Sequence, residues 1–236
     1  MTKEEFIKAL EELHINIDES KLEKLNKFYH LLIKWNEAIN LTTIVKEEEV
    51  YLKHFYDSLT LEQVIDLNQD LKLLDVGTGA GFPGIVLKIV FPNLKITLLD
   101  SLNKRVNYLK EVIKELDLED IEVECARAED YSKEHIEVYD VVVSRAVAHL
   151  KILSEITFQS VKVHGYLIAM KGNIDIELAE SQTMIKELNG KVVEINTFKL
   201  PKEESTRNLI KIEKLMPTNK KYPRKYSEIK KSLKRN

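Results

Sequence analysis

The 236-residue sequence contains one cysteine, Cys125, which excludes an internal disulfide and any cysteine-based zinc cluster and fits a reducing compartment. Cys125 itself is expected in a buried strand. No run of about 18 apolar residues is present, so a helical membrane span is excluded, and the first residues, MTKEEF, lack the basic-then-apolar order of a signal peptide. A cytoplasmic location is expected. Charge of one sign is also missing overall: the net charge is −3, which argues against wholesale attraction to nucleic acid. The average hides an asymmetry, because residues 219–236 hold eight basic residues (Lys220, Lys221, Arg224, Lys225, Lys230, Lys231, Lys234 and Arg235) against one acid, Glu228. Internal repeats are absent, and apart from that tail there is no low-complexity segment.

What is present is 44% hydrophobic and 32% charged, the make-up of a globular domain with a real core. Three helices are expected first. Thr2 and Glu5 form a capping box ahead of Phe6, Leu10 and Leu13 on one face. A second helix follows Asp18 or Ser20 and carries Leu22, Leu25, Phe28, Leu32, Trp35 and Ile39 at helical spacing. A third runs from Lys46 to about Ile65 with His54, Asp57 and Ser58 on it. His54 and Asp57 share a face, but one His-x-x-Asp pair is more often an oriented histidine than a metal pair, and no metal site is expected.

From Leu71 the pattern changes to short β-rich runs alternating with amphipathic helices. Strands are expected at 71–76, 94–100, 121–126, 139–145 and 165–171. Two further runs, 191–200 and 207–215, are separated only by residues 201–206, too few for a helical crossover, so they form an antiparallel hairpin. The organisation is an N-terminal helical segment (1–70), a Rossmann-like α/β domain (71–218) and a basic tail (219–236). Five parallel strands plus an antiparallel hairpin is the seven-stranded sheet of class I S-adenosylmethionine (SAM) dependent methyltransferases rather than of dehydrogenases, a comparison made at the level of fold.

The segment LLDVGTGAGFPG, residues 73–84, joins the first strand to a helix. Gly77, Gly79 and Gly81 permit a tight turn and close approach of backbone to a nucleotide. Gly79, Gly81 and Gly84 also spell the dinucleotide fingerprint. Asp75 separates the two readings, since an acid at the strand end repels a pyrophosphate and suits a ligand with a sulfonium and an ammonium group. Asp100, ending the second strand, is placed to accept hydrogen bonds from both ribose hydroxyls. Ala128 and Glu129, after the third strand, fall beside the adenine, where Glu129 accepts from the amino group or is a solvated turn residue. Arg145, at the end of the fourth strand, contacts the cofactor carboxylate, holds an RNA phosphate or makes a structural salt bridge. SRAVAH lacks the Asn/Asp-Pro-Pro-aromatic motif usual in enzymes that methylate exocyclic amines. A ring nitrogen such as guanine N7 has an exposed lone pair and no proton to lose, so no general base is assigned. Tyr222 and Tyr226 among the tail cations suit RNA contact, with a solvated end as the alternative.

Beyond these motifs, LLIKWNEAINLT (31–42), HFYDSL (54–59), LLDVGTGAGFPGI (73–85), ARAED (126–130), SRAVA (144–148), MKG (170–172), RNLI (207–210) and KKYPRK (220–225) resemble the RsmG (GidB) family of small-subunit rRNA guanine-N7 methyltransferases. The resemblance implies transfer of a methyl group from SAM to N7 of a guanine in the 530 loop of 16S rRNA, either free or in a small subunit or its precursor. It implies Gly77, Phe82, Ala128, Glu129 and Arg145 as cofactor-site positions. After YPRK the tail departs from the family's usual ending. Two other functions stay open on the sequence: an NAD-dependent oxidoreductase, and an RNA-binding module with an empty pocket.

Overall fold

The computed structural model describes residues 1–145 and 147–232. Ala146 of the SRAVA motif, and Lys234 and Arg235 of the basic tail, lie outside the described residues.

Strands β1 (Lys72–Val76), β2 (Lys95–Asp100), β3 (Ile121–Cys125), β4 (Tyr139–Arg145), β5 (Val161–Lys171), β6 (Gly190–Lys199) and β7 (Thr206–Lys214) form one sheet in the order β3-β2-β1-β4-β5-β7-β6. The first five are parallel, whereas β7 pairs antiparallel with both β5 and β6. This is the class I methyltransferase sheet that the sequence pattern predicts. The chain runs outward from β1 through β2 to β3, then crosses back to β4 on the other side of β1, so the strand order reverses at β1 and a crevice opens at the carboxyl ends where ligands of open α/β sheets bind.

Side chains alternate between the two faces, which explains the continuous apolar runs: both faces are covered. Leu73, Val141, Val143 and Ile168 join the core on one face, while Leu74, Val142, Leu167 and Ala169 join the core on the other. The first face is covered by α1 (Lys3–Glu12), α2 (Glu19–Ile39), α5 (Gly84–Val90) and α6 (Asn103–Glu115); the second by α7 (Ala128–Glu134), α8 (Leu150–Thr157) and α9 (Asp175–Glu187).

At the N-terminus, Thr2 and Glu5 make the reciprocal capping box, and Asp18 caps α2 by accepting from the Lys21 amide at 2.9 Å. Phe28 of α2 lies 5.7 Å from Phe55 and 5.4 Å from Phe82, so the N-terminal helices pack directly on the glycine-rich segment. The third expected helix is not uniform. It consists of α3 (Glu47–Val50), a π-helical turn (Tyr51–Tyr56), α4 (Asp57–Leu59) and a 3₁₀ turn (Thr60–Gln63). The wider π turn changes the helical phase, a feature often found next to functional sites. Cys125 differs from expectation: it is exposed, because β3 is an edge strand, and its thiol lies 3.2 Å from Asn103 Oδ1.

The tail is docked as far as α10 (Tyr226–Ser232). Arg224 donates from its backbone, Nε and Nη2 to the buried Glu155 carboxylate of α8, at 3.0, 2.8 and 2.6 Å. Gln159 donates to the carbonyls of Asn219 and Tyr222, and Ile229 packs against Ile152 and Ile156.

Candidate cofactor and substrate site

Between β1 and α5 the chain turns through three glycines with left-handed backbone, Gly77 (φ 70°), Gly79 (φ 60°) and Gly81 (φ 94°). Two of them are also sterically committed. A Cβ on Gly77 would come 2.4 Å from Val147 Cγ2, and one on Gly81 would come 2.6 Å from Ile85 Cγ1. The loop is therefore shaped by glycine and then held by carboxylates. Asp100 Oδ2 accepts from the Gly79 amide at 3.1 Å, and Asp75 Oδ2 accepts from the Gly84 amide at 2.9 Å.

These two acids occupy different places. Asp100 lines a cavity at the carboxyl edge of the sheet together with Gly77, Ala128 and Glu129, so four of the residues singled out in the sequence meet there. Val76, Leu99, Ala126, Ile152 and Ile156 supply its apolar surface. Asp75 lies beneath the loop, fully buried, and burial pushes its carboxyl up to about 6. The expectation that it faces a cationic ligand is not what the geometry displays: its bond is to the backbone that starts α5.

Asp100 also has less acceptor capacity than the sequence suggests. Oδ1 takes the Leu102 amide at 2.9 Å, and Oδ2 takes both Gly79 and Arg105 Nη1, the latter at 3.2 Å. A carboxylate offers about four acceptor positions, which leaves one for a ribose hydroxyl with the internal bonds intact, not two. Glu129 is the converse case. It is 6% exposed and lines the cavity, yet its carboxylate has no hydrogen-bond partner among the described residues. A nearly buried, unpartnered acceptor next to apolar walls suits an amino-bearing heteroaromatic ring such as adenine. The donor and acceptor set thus fits SAM.

Arg145 and Phe82 stand apart from that cavity, beside a second one lined by Lys53, His54, Asp57, Lys171 and Arg207. Arg145 itself lines it, while Phe82 lies beneath the guanidinium, whose carbon is 5.0 Å from the ring centre. Asp57 is the hub. Its two oxygens accept from Arg145 Nη1 at 3.0 Å and Arg207 Nε at 3.1 Å, joining residues 88 and 150 positions away in sequence. His54 stacks on Phe82 at 4.4 Å, with Arg145 Nη2 3.3 Å from Nδ1 and Thr42 Oγ1 3.0 Å from Nε2. Burial, reinforced by the Arg145 cation, lowers His54 to about 3, so it is neutral. Nδ1 also lies 3.2 Å from the Lys53 carbonyl, so the ring is held at both nitrogens.

Sequence reasoning missed Asp57 as the partner of Arg145 and of Arg207, and Arg127 and Tyr226 as lining residues of the first cavity. Arg127 sits inside the ARAED motif, so its neighbours pointed to it. Tyr226 carried only the signal of an aromatic among cations. Among the described residues there is no group of three or more His, Cys, Asp or Glu placed to hold a metal ion, and no helix long and apolar enough to cross a membrane.

The family model described as GidB, rRNA small subunit methyltransferase G, matches residues 21–210. The chain belongs to the GidB family. Among its relatives is a ribosomal RNA small subunit methyltransferase G from Bacillus cytotoxicus, 46% identical over 228 residues that cover 95% of either chain. The GidB chain also resembles, with TM-score 0.53 and 20% identity, a SAM dependent methyltransferase from Aquifex aeolicus, across 71% of this chain and 93% of that one. A third similarity, with TM-score 0.51 and 10% identity over 63% of this chain and 68% of the other, is to fibrillarin from Aeropyrum pernix in complex with natively bound SAM. The last two likenesses establish the fold, and GidB membership makes the chain a SAM-dependent methyltransferase.

Proposed function

We propose that the protein transfers a methyl group from SAM to N7 of a guanine in the 530 loop of 16S rRNA, in the cytoplasm. The observation that carries this reading is the meeting of the glycine-rich loop, Asp100 and the unpartnered Glu129 around one cavity, next to a second cavity centred on Arg145. SAM supplies an activated methyl on a sulfonium. Gly77, Ala128 and Glu129 line its site, Asp100 accepts one ribose hydroxyl, and Gly79 and Gly81 set the loop. Asp75 and Phe82 act through support, Asp75 by holding the start of α5 and Phe82 as the surface beneath Arg145 and His54.

Arg145 is a positioning residue at the boundary with substrate. Asp57 and His54 fix its guanidinium, which leaves its remaining donors directed by a rigid frame rather than by a mobile side chain. His54, held neutral, is too weak a base to matter for the reaction, and a ring nitrogen with a free lone pair requires none. Catalysis is then alignment of N7 with the methyl carbon, an effect worth up to about 7 to 11 kcal/mol in favourable cases. The exposed Lys220, Lys221, Lys225, Lys230 and Lys231 supply cations for RNA phosphates outside the site. The substrate is proposed to be the RNA within a small subunit or its precursor.

The test replaces guanine in the substrate RNA by 7-deazaguanine, which removes the acceptor nitrogen and retains Watson–Crick pairing. Transfer from methyl-labelled SAM is expected to the ordinary RNA and to be lost with the substituted one. Equal labelling of both RNAs contradicts N7 as the acceptor.

A further inference from the structure

The cavity assigned to the cofactor has one wall that neither the glycine-rich loop nor the strand ends provide. Tyr226, the first residue of α10, lines it opposite no other aromatic: among the described residues, it is the one aromatic side chain in the lining. Tyr226 is 40% exposed, and Val147 on the same cavity is 41% exposed, so the mouth presents apolar surface to solvent. The guanidinium of Arg127 stands 5.8 Å from the centre of the Tyr226 ring, and Arg127 directly precedes Ala128 and Glu129 in the lining.

The segment that carries Tyr226 is fastened rather than loose. Arg224 is tied three ways to Glu155, which is 1% exposed. Tyr222 is buried and its hydroxyl bonds to Glu187. Ile229 is 1% exposed against Ile152 and Ile156, and those same two isoleucines line the cavity. Ala128 packs on this cluster too. The docking of α10 and the shape of the cavity are therefore one apolar unit: residues that anchor the helix from behind face the ligand space in front.

We propose that Tyr226 is a cofactor-binding residue, with the docked segment 219–232 holding its ring, backed by Arg127, against the adenine of SAM or of the product S-adenosylhomocysteine. The proposal rests on the reading of this cavity as the cofactor site. Chemistry favours that moiety, because a flat ring with a π face stacks on tyrosine while its amino group reaches the unpartnered Glu129. The basic tail then serves two ends. One face of α10 completes the cofactor pocket, and Lys230 and Lys231 stay exposed.

Calorimetric titration of the full chain with S-adenosylhomocysteine tests this without any turnover. Loss of a base-stacking ring raises a dissociation constant about fivefold or more. Tyr226→Ala is expected to show that increase, Tyr226→Phe to bind like the wild type, and amides of residues 226–232 to exchange more slowly when the ligand is bound. Tyr226 is partly exposed, so the alanine variant keeps its fold, which circular dichroism checks. Wild-type binding with an unchanged constant for Tyr226→Ala overturns the role of Tyr226 and leaves the cofactor site standing. A wild type that does not bind the ligand overturns the cofactor site and this inference together.

Discussion

Replacing Asp100 by alanine raises the dissociation constant for SAM roughly ten- to a hundredfold, the equivalent of one charge-assisted hydrogen bond of about 1.5 to 3 kcal/mol. The residue acts twice. It accepts the Gly79 amide and so holds the loop in its left-handed turn, and it retains one acceptor position for a ribose hydroxyl. Because the Leu102 amide and Arg105 already occupy the same carboxylate, the variant also frees the start of α6, and part of the lost affinity comes from that relaxation. Calorimetry with wild-type and variant protein measures the ratio, and circular dichroism establishes that both are folded. An unchanged constant removes Asp100 from the cofactor site.

Acidification destabilises the wild type more than a His54→Gln variant, by about 3 kcal/mol at pH 4. The sign follows from the depressed folded value. His54 is lowered to about 3 by burial and by the Arg145 cation, whereas in the unfolded chain it protonates near its ordinary value of 6.5. Between those limits the unfolded state binds a proton that the folded state refuses, so stability is full above about pH 6.5 and is lost as pH falls toward 3. Asp75 works in the opposite direction. Burial raises it to about 6, so the folded state binds the extra proton between the ordinary value of 3.8 and about 6, and stability rises as pH falls through that window. A single wild-type curve mixes the two. Comparing wild type with His54→Gln, both of which retain Asp75, isolates the histidine. Urea unfolding at pH 7 and pH 4 gives the difference, and equal losses for the two proteins contradict a buried neutral His54.

The elements legible in the sequence are those set by local chemistry. The Thr2–Glu5 capping box, the Asp18 cap and the apolar runs of β1 to β5 are properties of a few adjacent residues, and they stand where the pattern puts them to within a residue or two, except that β5 begins four residues earlier, at Val161. The β6–β7 hairpin followed from connection length alone. Gly77, Asp100, Ala128 and Glu129 were legible for a related reason: each lies at or within four residues after the carboxyl end of a parallel strand, and strand ends in such sheets converge at one edge.

What stayed hidden depends on distance or on environment. No periodicity announces the π turn at Tyr51–Tyr56, yet it helps direct both His54 and Asp57 toward Arg145. The Asp57–Arg207 pair spans 150 residues of sequence, so residue type alone does not reveal it. Cys125 has the neighbours of a core strand, and only the position of β3 at the sheet edge exposes it. The docking of the tail was not legible in its composition. Its cations left RNA contact and a solvated end as alternatives, and neither announced that one buried isoleucine, Ile229, and the Arg224–Glu155 pair dock it on α8.

The account stands most directly on where the methyl group goes. Small subunits lacking the modification, incubated with the protein and methyl-labelled SAM, are predicted to carry label at N7 of one guanine in the 530 loop of 16S rRNA and nowhere else. Label on another base or atom, or none from a protein that binds SAM, contradicts it.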